Sequence, residues 1–178
     1  MSLFFILSQI FGFVALLLVC LSYYFDNKKS FLAYQIIGNI FYSASFLTLN
    51  VFVGGINTII STIRVAVLYF FERKDKKPPL LLYITFALLY LYSGVIFFQD
   101  GLDILAIVAY EIFNIAMFAR KIELTRILMV LPNFIIVIYN ILNFTFTNAI
   151  LDCVEIIVLI FAIFKFGLKN KREIWYLL

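Results

Sequence analysis

Apolar residues in this chain run in long unbroken stretches, and polar residues collect in short clusters between them. Seven stretches reach the roughly 17–20 residues that a helix needs to cross a hydrocarbon core about 30 Å thick. They are Leu3 to Tyr24, Phe31 to Leu49, Val51 to Phe71, Leu80 to Phe98, Leu102 to Ala119, Arg126 to Phe144 and Thr147 to Phe166. The separators carry turn chemistry: Asp26 to Ser30, Gly54-Gly55, Lys77-Pro78-Pro79, Asp100-Gly101 and Thr145 to Asn148. Continuous runs argue against a barrel, whose strands alternate, and within lipid a helix satisfies its own backbone. The expected fold class is an all-α membrane protein with seven transmembrane helices. The first run has no basic leader and no small-residue cleavage site, so it reads as a span and not a signal peptide.

Composition strengthens this reading. Hydrophobic residues make up 65% of the chain and charged residues 13%, against roughly 45–50% and 25% in soluble domains. There is no histidine, which excludes imidazole acid–base chemistry and histidine metal sites. Cys20 and Cys153 fall at different depths of the expected topology and are not expected to pair. Cofactors and metals are not expected.

Charge placement sets orientation. The first, third and fifth connections hold Lys28, Lys29, Arg73, Lys74, Lys76, Lys77, Arg120, Lys121 and Arg126, and the C-terminal end holds Lys165, Lys169, Lys171 and Arg172. Thirteen of the 14 basic residues thus share one face, while Asp100 and Asp103 occupy the other. By the positive-inside rule the N-terminus lies outside and the C-terminus in the cytoplasm. The net charge of +4 then reflects cytoplasmic loops, with no call for nucleic acid. The closing Ile174-Trp175-Tyr176-Leu177-Leu178 reads as an interfacial anchor.

An ungapped shift of 94 residues lays spans one to three over spans five to seven. Asn39 then meets Asn133, Ala15 meets Ala109, Phe52 meets Phe146, Ile56 meets Ile150 and Phe70 meets Phe164. The chain is expected to divide into a three-helix bundle at 1–71, a cytoplasmic loop and linker helix at 72–100, a second, parallel three-helix bundle at 101–167, and a cytoplasmic tail at 168–178. Gln9, Gly12, Phe25, Phe46-Leu47, Gly55, Ile63-Arg64, Tyr139-Asn140 and Asp152 resemble the YgjV family of bacterial inner-membrane proteins. That resemblance implies a multi-pass protein of the bacterial cytoplasmic membrane and carries no defined activity. The three-one-three arrangement is also similar to the SWEET sugar transporters and the PnuC vitamin transporters, which implies a substrate path between the bundles. Those bundles carry a proline in the first helix of each repeat. Here spans one and five have none, Gly12 is the flexible candidate in the first, and Pro132 is expected to kink span six before Asn133.

Ionisable residues at bilayer depth are costly and usually face a bundle interior or a water-filled path. Four are expected there: Arg64, Glu111, Asp152 and Glu155. Asn57, Ser61 and Arg64 share one face of span three, and Asn148, Asp152 and Glu155 one face of span seven. Glu111 and Asn114 pair on span five. Gln35, Asn39, Tyr42 and Ser43 line span two, and Asn133, Asn140 and Asn143 line span six. The candidate substrate-binding set is therefore Asn39, Asn57, Ser61, Arg64, Glu111, Asn114, Asn133, Asn140, Asp152 and Glu155. The bland reading is interhelical hydrogen bonding for the amides and Ser61, an ion pair for Arg64 and a solvated helix end for Asp152. Tyr83, Tyr90 and Tyr92 are expected to serve packing.

Three intramembrane carboxylates face one arginine, so one of them lacks a basic partner and could carry a proton or meet a cationic group. A transporter of a small polar metabolite, neutral or zwitterionic, working by alternating access with or without a proton, fits this set. The alternative is a non-transporting scaffold or assembly protein whose polar stripes serve packing. Without histidine, a cysteine pair, a phosphate-binding glycine loop or an activated serine, the chain is not expected to be an enzyme. The expected partners are the lipid bilayer and a small polar solute, with a homo-oligomer left open.

Overall fold

The computed structural model describes residues 3–49, 51–98, 101–142 and 146–167. These form seven helices: α1 (Leu3–Ser22), α2 (Lys28–Thr48), α3 (Phe52–Arg73), α4 (Leu80–Ile96), α5 (Asp103–Phe118), α6 (Ile122–Leu142) and α7 (Phe146–Gly167). Asp100, Asn143 and the aromatic tail lie outside the described residues. Phe4–Ser22, Phe52–Arg73 and Ile122–Leu142 are long and apolar enough to cross a membrane, and Leu80–Ile96 is a shorter apolar helix. The surface carries a continuous supply of exposed apolar side chains, including Leu80, Leu81 and Val95, each more than 70% exposed. Water is a poor solvent for such a surface, and hydrocarbon is a good one.

Six helices close a ring. α1 packs on α2, α2 on α3, α3 on α5, α5 on α6, α6 on α7 and α7 back on α1. α4 stands outside it, braced against α3 and α5. Shifted by 94 residues, α2 lands on 122–142 and α3 on 146–167, which are the bounds of α6 and α7. Equivalent positions share environments as well: Ala15 and Ala109 are fully buried, and Phe70 and Phe164 are 61% and 62% exposed.

Close helix approach depends on glycine. Gly54 and Gly55, expected to form a turn, instead lie in the first turn of α3, where added Cβ atoms would meet Phe46 at 3.2 Å and Leu47 at 2.8 Å. Gly12, expected to lend flexibility, is buried with Ser45 and Leu151 against it. At Gly38 a Cβ would sit 2.6 Å from Val19 Cγ2 and 3.4 Å from the Ala15 carbonyl. Small residues at such crossings let backbones approach where lipid supplies no hydrophobic drive. Gly38→Val is therefore expected to destabilise the fold by about 1–3 kcal/mol, read as a lower melting temperature in detergent. An unchanged melt would mean that α1 and α2 do not pack this closely.

Connections one, three and five meet at one end of the ring. Lys29 pairs with Asp75 at 3.3 Å, and Lys28 Nζ donates to the Ala119 carbonyl. The basic residues of these connections thus gather at a common end, called the basic end below.

Candidate functional site

A cavity of about 90 Å³ lies inside the ring. Its lining comes from α1, α2, α3, α5, α6 and α7, with nothing from α4. Twelve of its 16 lining residues form six pairs separated by 94: Val19 with Phe113, Gln35 with Met129, Asn39 with Asn133, Tyr42 with Ile136, Thr58 with Asp152, and Ser61 with Glu155. The repeat therefore reappears as the two facing walls of one chamber. Phe46, Arg64, Tyr110 and Met117 complete it.

The walls are alike in shape and unlike in charge. On α7, Asp152 and Glu155 sit one turn apart, 7% and 6% exposed. Asn140 Nδ2 donates to Asp152 at 2.6 Å. The hydroxyl of Tyr23 donates to Glu155 at 2.5 Å, and that of Tyr42 lies 3.5 Å from its other oxygen. All these partners are neutral. Asp152 is thus a buried wall residue and not the solvated helix end that its place in the chain suggested.

On α3, the equivalent positions are Thr58 and Ser61, and one turn further lies Arg64, 2% exposed. Arg64 forms no ion pair among the described residues, so the structural salt bridge considered for it is not made. Its Nη1 is 3.5 Å from Asn114 Oδ1, its Nε has no partner, and its guanidinium carbon lies 5.4 Å from the Tyr90 ring centre. Tyr90 also fixes Ser61 through a 2.8 Å hydroxyl contact and stacks on Tyr110 at 5.7 Å. Tyr110 in turn meets Thr58 at 3.0 Å.

Six of the ten expected residues line the cavity: Asn39, Ser61, Arg64, Asn133, Asp152 and Glu155. The other four do not. Asn57 accepts from Ser93 and so fastens α3 to α4. Asn114 reaches Arg64 and donates to the Tyr83 carbonyl at 3.2 Å. Asn140 holds Asp152. Glu111 is half-buried, interacts through space with Arg64 without pairing to it, and keeps a buried Oε1 with no partner among the described residues. Asp103, expected on the outer side, is 4% exposed and accepts from Tyr139 at 3.1 Å.

Tyr23 and Tyr110 were not expected, because nothing in a sequence with 22 Phe and 11 Tyr distinguishes a tyrosine facing a carboxylate from one facing lipid. A second omission is Arg126. Its helix begins at Ile122, a full turn before the expected start, so Arg126 is drawn inside and left 1% exposed. Its Nη2 donates to the carbonyls of Tyr23 and Phe25 at 2.8 and 2.7 Å, and its guanidinium carbon lies 4.6 Å from the Phe166 ring centre. Arg64 is therefore not the only basic residue that the loops leave unexplained.

Arg126 and Lys28 form a reciprocal clasp. Phe25 and Ala119 are equivalent under the 94-residue shift, and each carbonyl at the end of a first helix accepts from a cation of the opposite half. These carbonyls lie just beyond the ends of α1 at Ser22 and α5 at Phe118, so each cation also faces the negative end of a helix dipole. The clasp ties the two walls together at the basic end.

Among the described residues no group of three acidic or cysteine side chains is arranged to hold a metal. Seven helices with apolar outer surfaces, around a cavity into which ionisable and polar side chains project, define a helical membrane protein. Residues 6–170 match the Imp-YgjV family, described as a bacterial inner membrane protein, and the chain belongs to that family. Comparisons with curated proteins and with solved structures found no match.

Proposed function

We propose that this protein is a transporter of a small polar metabolite, working by alternating access between the walls α1–α3 and α5–α7. The observation that carries the reading is the chamber: a cavity into which polar and ionisable side chains project, with twelve of its 16 lining residues pairing at an offset of 94. A scaffold needs polar contacts between helices, but it has no use for a chamber in which Arg64 and two carboxylates have no ion pair among the described residues. Such groups are expensive at membrane depth and persist where they meet a permeant species. Seven crossings with the N-terminus outside would put the basic end in the cytoplasm, so the clasp of Lys28 and Arg126 would be the cytoplasmic gate in its closed state. Two carboxylates on one wall also leave one able to carry a proton through the cycle.

The test is reconstitution. A thermal-shift screen of the purified protein against sugars, nucleosides, vitamins and amino acids identifies a ligand of the folded state, and proteoliposomes then report its uptake. Glu155→Gln, which keeps an acceptor for Tyr23, is expected to retain the fold and to lose uptake by at least about tenfold. A scaffold would instead show no flux in the wild type, and a lower melting temperature as the only effect of the change.

A further inference from the structure

The two walls pair under the 94-residue shift, yet their third helices differ in charge. Thr58 and Ser61 on α3 stand where Asp152 and Glu155 stand on α7, and Arg64 stands where α7 has Val158. α3 packs mainly on α2, α4 and α5, and α7 on α6 and α1, so the cationic and anionic groups confront each other across the cavity. They line one chamber without touching. Along the path, Arg64 lies one turn, about 4.5 Å, nearer the basic end than the level of Glu155.

From this juxtaposition we infer that the chamber takes a compact zwitterion, its ammonium group toward Glu155 and Tyr42 and its carboxylate toward Arg64. The inference rests on the transport reading and sharpens it to a substrate class. A neutral solute would leave Arg64 and Glu155 without a directly bound counter-charge, Glu111 acting on Arg64 only through space, and a simple cation or anion would satisfy one and strand the other. A zwitterion satisfies both, and its own headgroups exchange hydration for charge-assisted bonds. The guanidinium is open to a carboxylate because, among the described residues, its Nε is unpartnered and its one side-chain hydrogen bond, to Asn114, is long at 3.5 Å, the Tyr90 ring lying against its carbon at 5.4 Å. The aromatic face beside Glu155, from Tyr42 and Phe46, which stack at 6.3 Å, suits an ammonium or a methylated ammonium. Asp152, held by Asn140, remains as the further carboxylate.

The test measures binding by thermal shift and calorimetry on the full-length protein in nanodiscs. The probes are alanine, γ-aminobutyrate and glycine betaine, the matched monopoles ethylamine, butylamine, propionate and butyrate, and the neutral solutes glucose and propionamide. At least one zwitterion is expected to bind tenfold or more tightly than either of its matched monopoles and than the neutral solutes. Arg64→Gln is expected to weaken that zwitterion at least tenfold while leaving amine binding unchanged. Glu155→Gln is expected to do the reverse, sparing the carboxylate probes, and Arg64→Lys to restore part of the affinity, which a misfolded variant cannot do. Tightest binding by a neutral solute or by a monopole, with flux in proteoliposomes, would overturn the zwitterion and leave the transporter standing. Absence of both binding and flux across the panel would overturn the two together.

Discussion

If the protein is the transporter proposed, Arg64→Ala is expected to yield a folded protein that moves little solute. The guanidinium makes one long bond to Asn114 and lies over Tyr90, so its removal breaks little that holds the helices together. It also relieves the cost of keeping a charge inside the membrane with no directly bound counter-ion, Glu111 acting on it only through space. The melting temperature should therefore hold or rise slightly. The cost falls on the ligand. Removing one partner of a buried, hydrogen-bonded charge pair typically costs about 2–5 kcal/mol, so uptake at low solute concentration should fall by at least about 30-fold. Initial rates in proteoliposomes, set beside the thermal melt of the same preparation, separate the two effects. A large drop in melting temperature with unchanged specific flux would reassign Arg64 to the scaffold.

Arg126→Ala should act in the opposite sense, by releasing a closed state. Its two bonds to the Tyr23 and Phe25 carbonyls are charge-assisted, and such bonds are worth about 1.5–3 kcal/mol. Losing even 1.4 kcal/mol of closure shifts a two-state equilibrium about tenfold. With the clasp cut, the chamber should open more often at the basic end. Gln35→Cys, placed on α2 toward that end of the lining, offers the readout in a background of Cys20→Ser and Cys153→Ser. Its labelling by a membrane-impermeant thiol reagent from the basic side should accelerate about tenfold when Arg126→Ala is added. Arg126→Lys, which keeps a cation within reach of the carbonyls, should fall between. Unchanged labelling accompanied by a lower melting temperature would show that the clasp holds the fold and gates nothing.

Much of the fold is legible in the sequence because lipid leaves the backbone so few choices. A continuous apolar run must be helical there, and each of the seven expected runs corresponds to one of the seven helices, within a few residues at each end. The 94-residue offset could be read because Asn39 and Asn133, and Ala15 and Ala109, keep one register, and both pairs occupy matched surroundings. The bounds of α6 were harder. Arg120, Lys121 and Arg126 read together as a basic connection, and only the three-dimensional arrangement shows that α1 presents carbonyls for Arg126 to cap. Gly54-Gly55 carries a turn signature, yet the demand for close packing against Phe46 and Leu47 places it inside a helix.

The candidate site was legible in part for a related reason. Helical spacing puts Asn57, Ser61 and Arg64 on one face, but a face is about 100° wide, and the neighbouring helix decides which edge of it meets the chamber. Ser61 and Arg64 fall on the cavity side, whereas Asn57 falls toward α4 and Ser93. Asn114 and Asn140 likewise stand one shell behind the groups they hold. Tyr23 and Tyr110 had no sequence signal of their own. The repeat itself offered one, since Val19 and Phe113 share a lining position and mark the faces of α1 and α5 that look inward.

The most direct measurement is two-sided accessibility at the centre of the chamber, which requires no knowledge of the substrate. Ser61→Cys, in the background lacking Cys20 and Cys153, sits on the cavity wall beside Tyr90. Sealed vesicles of known orientation are treated with a membrane-impermeant thiol reagent from either face in turn. Alternating access between the two walls predicts reaction from both faces, with reaction from the basic side accelerated by Arg126→Ala. Reaction from neither face, or from one face alone regardless of Arg126, would contradict the account.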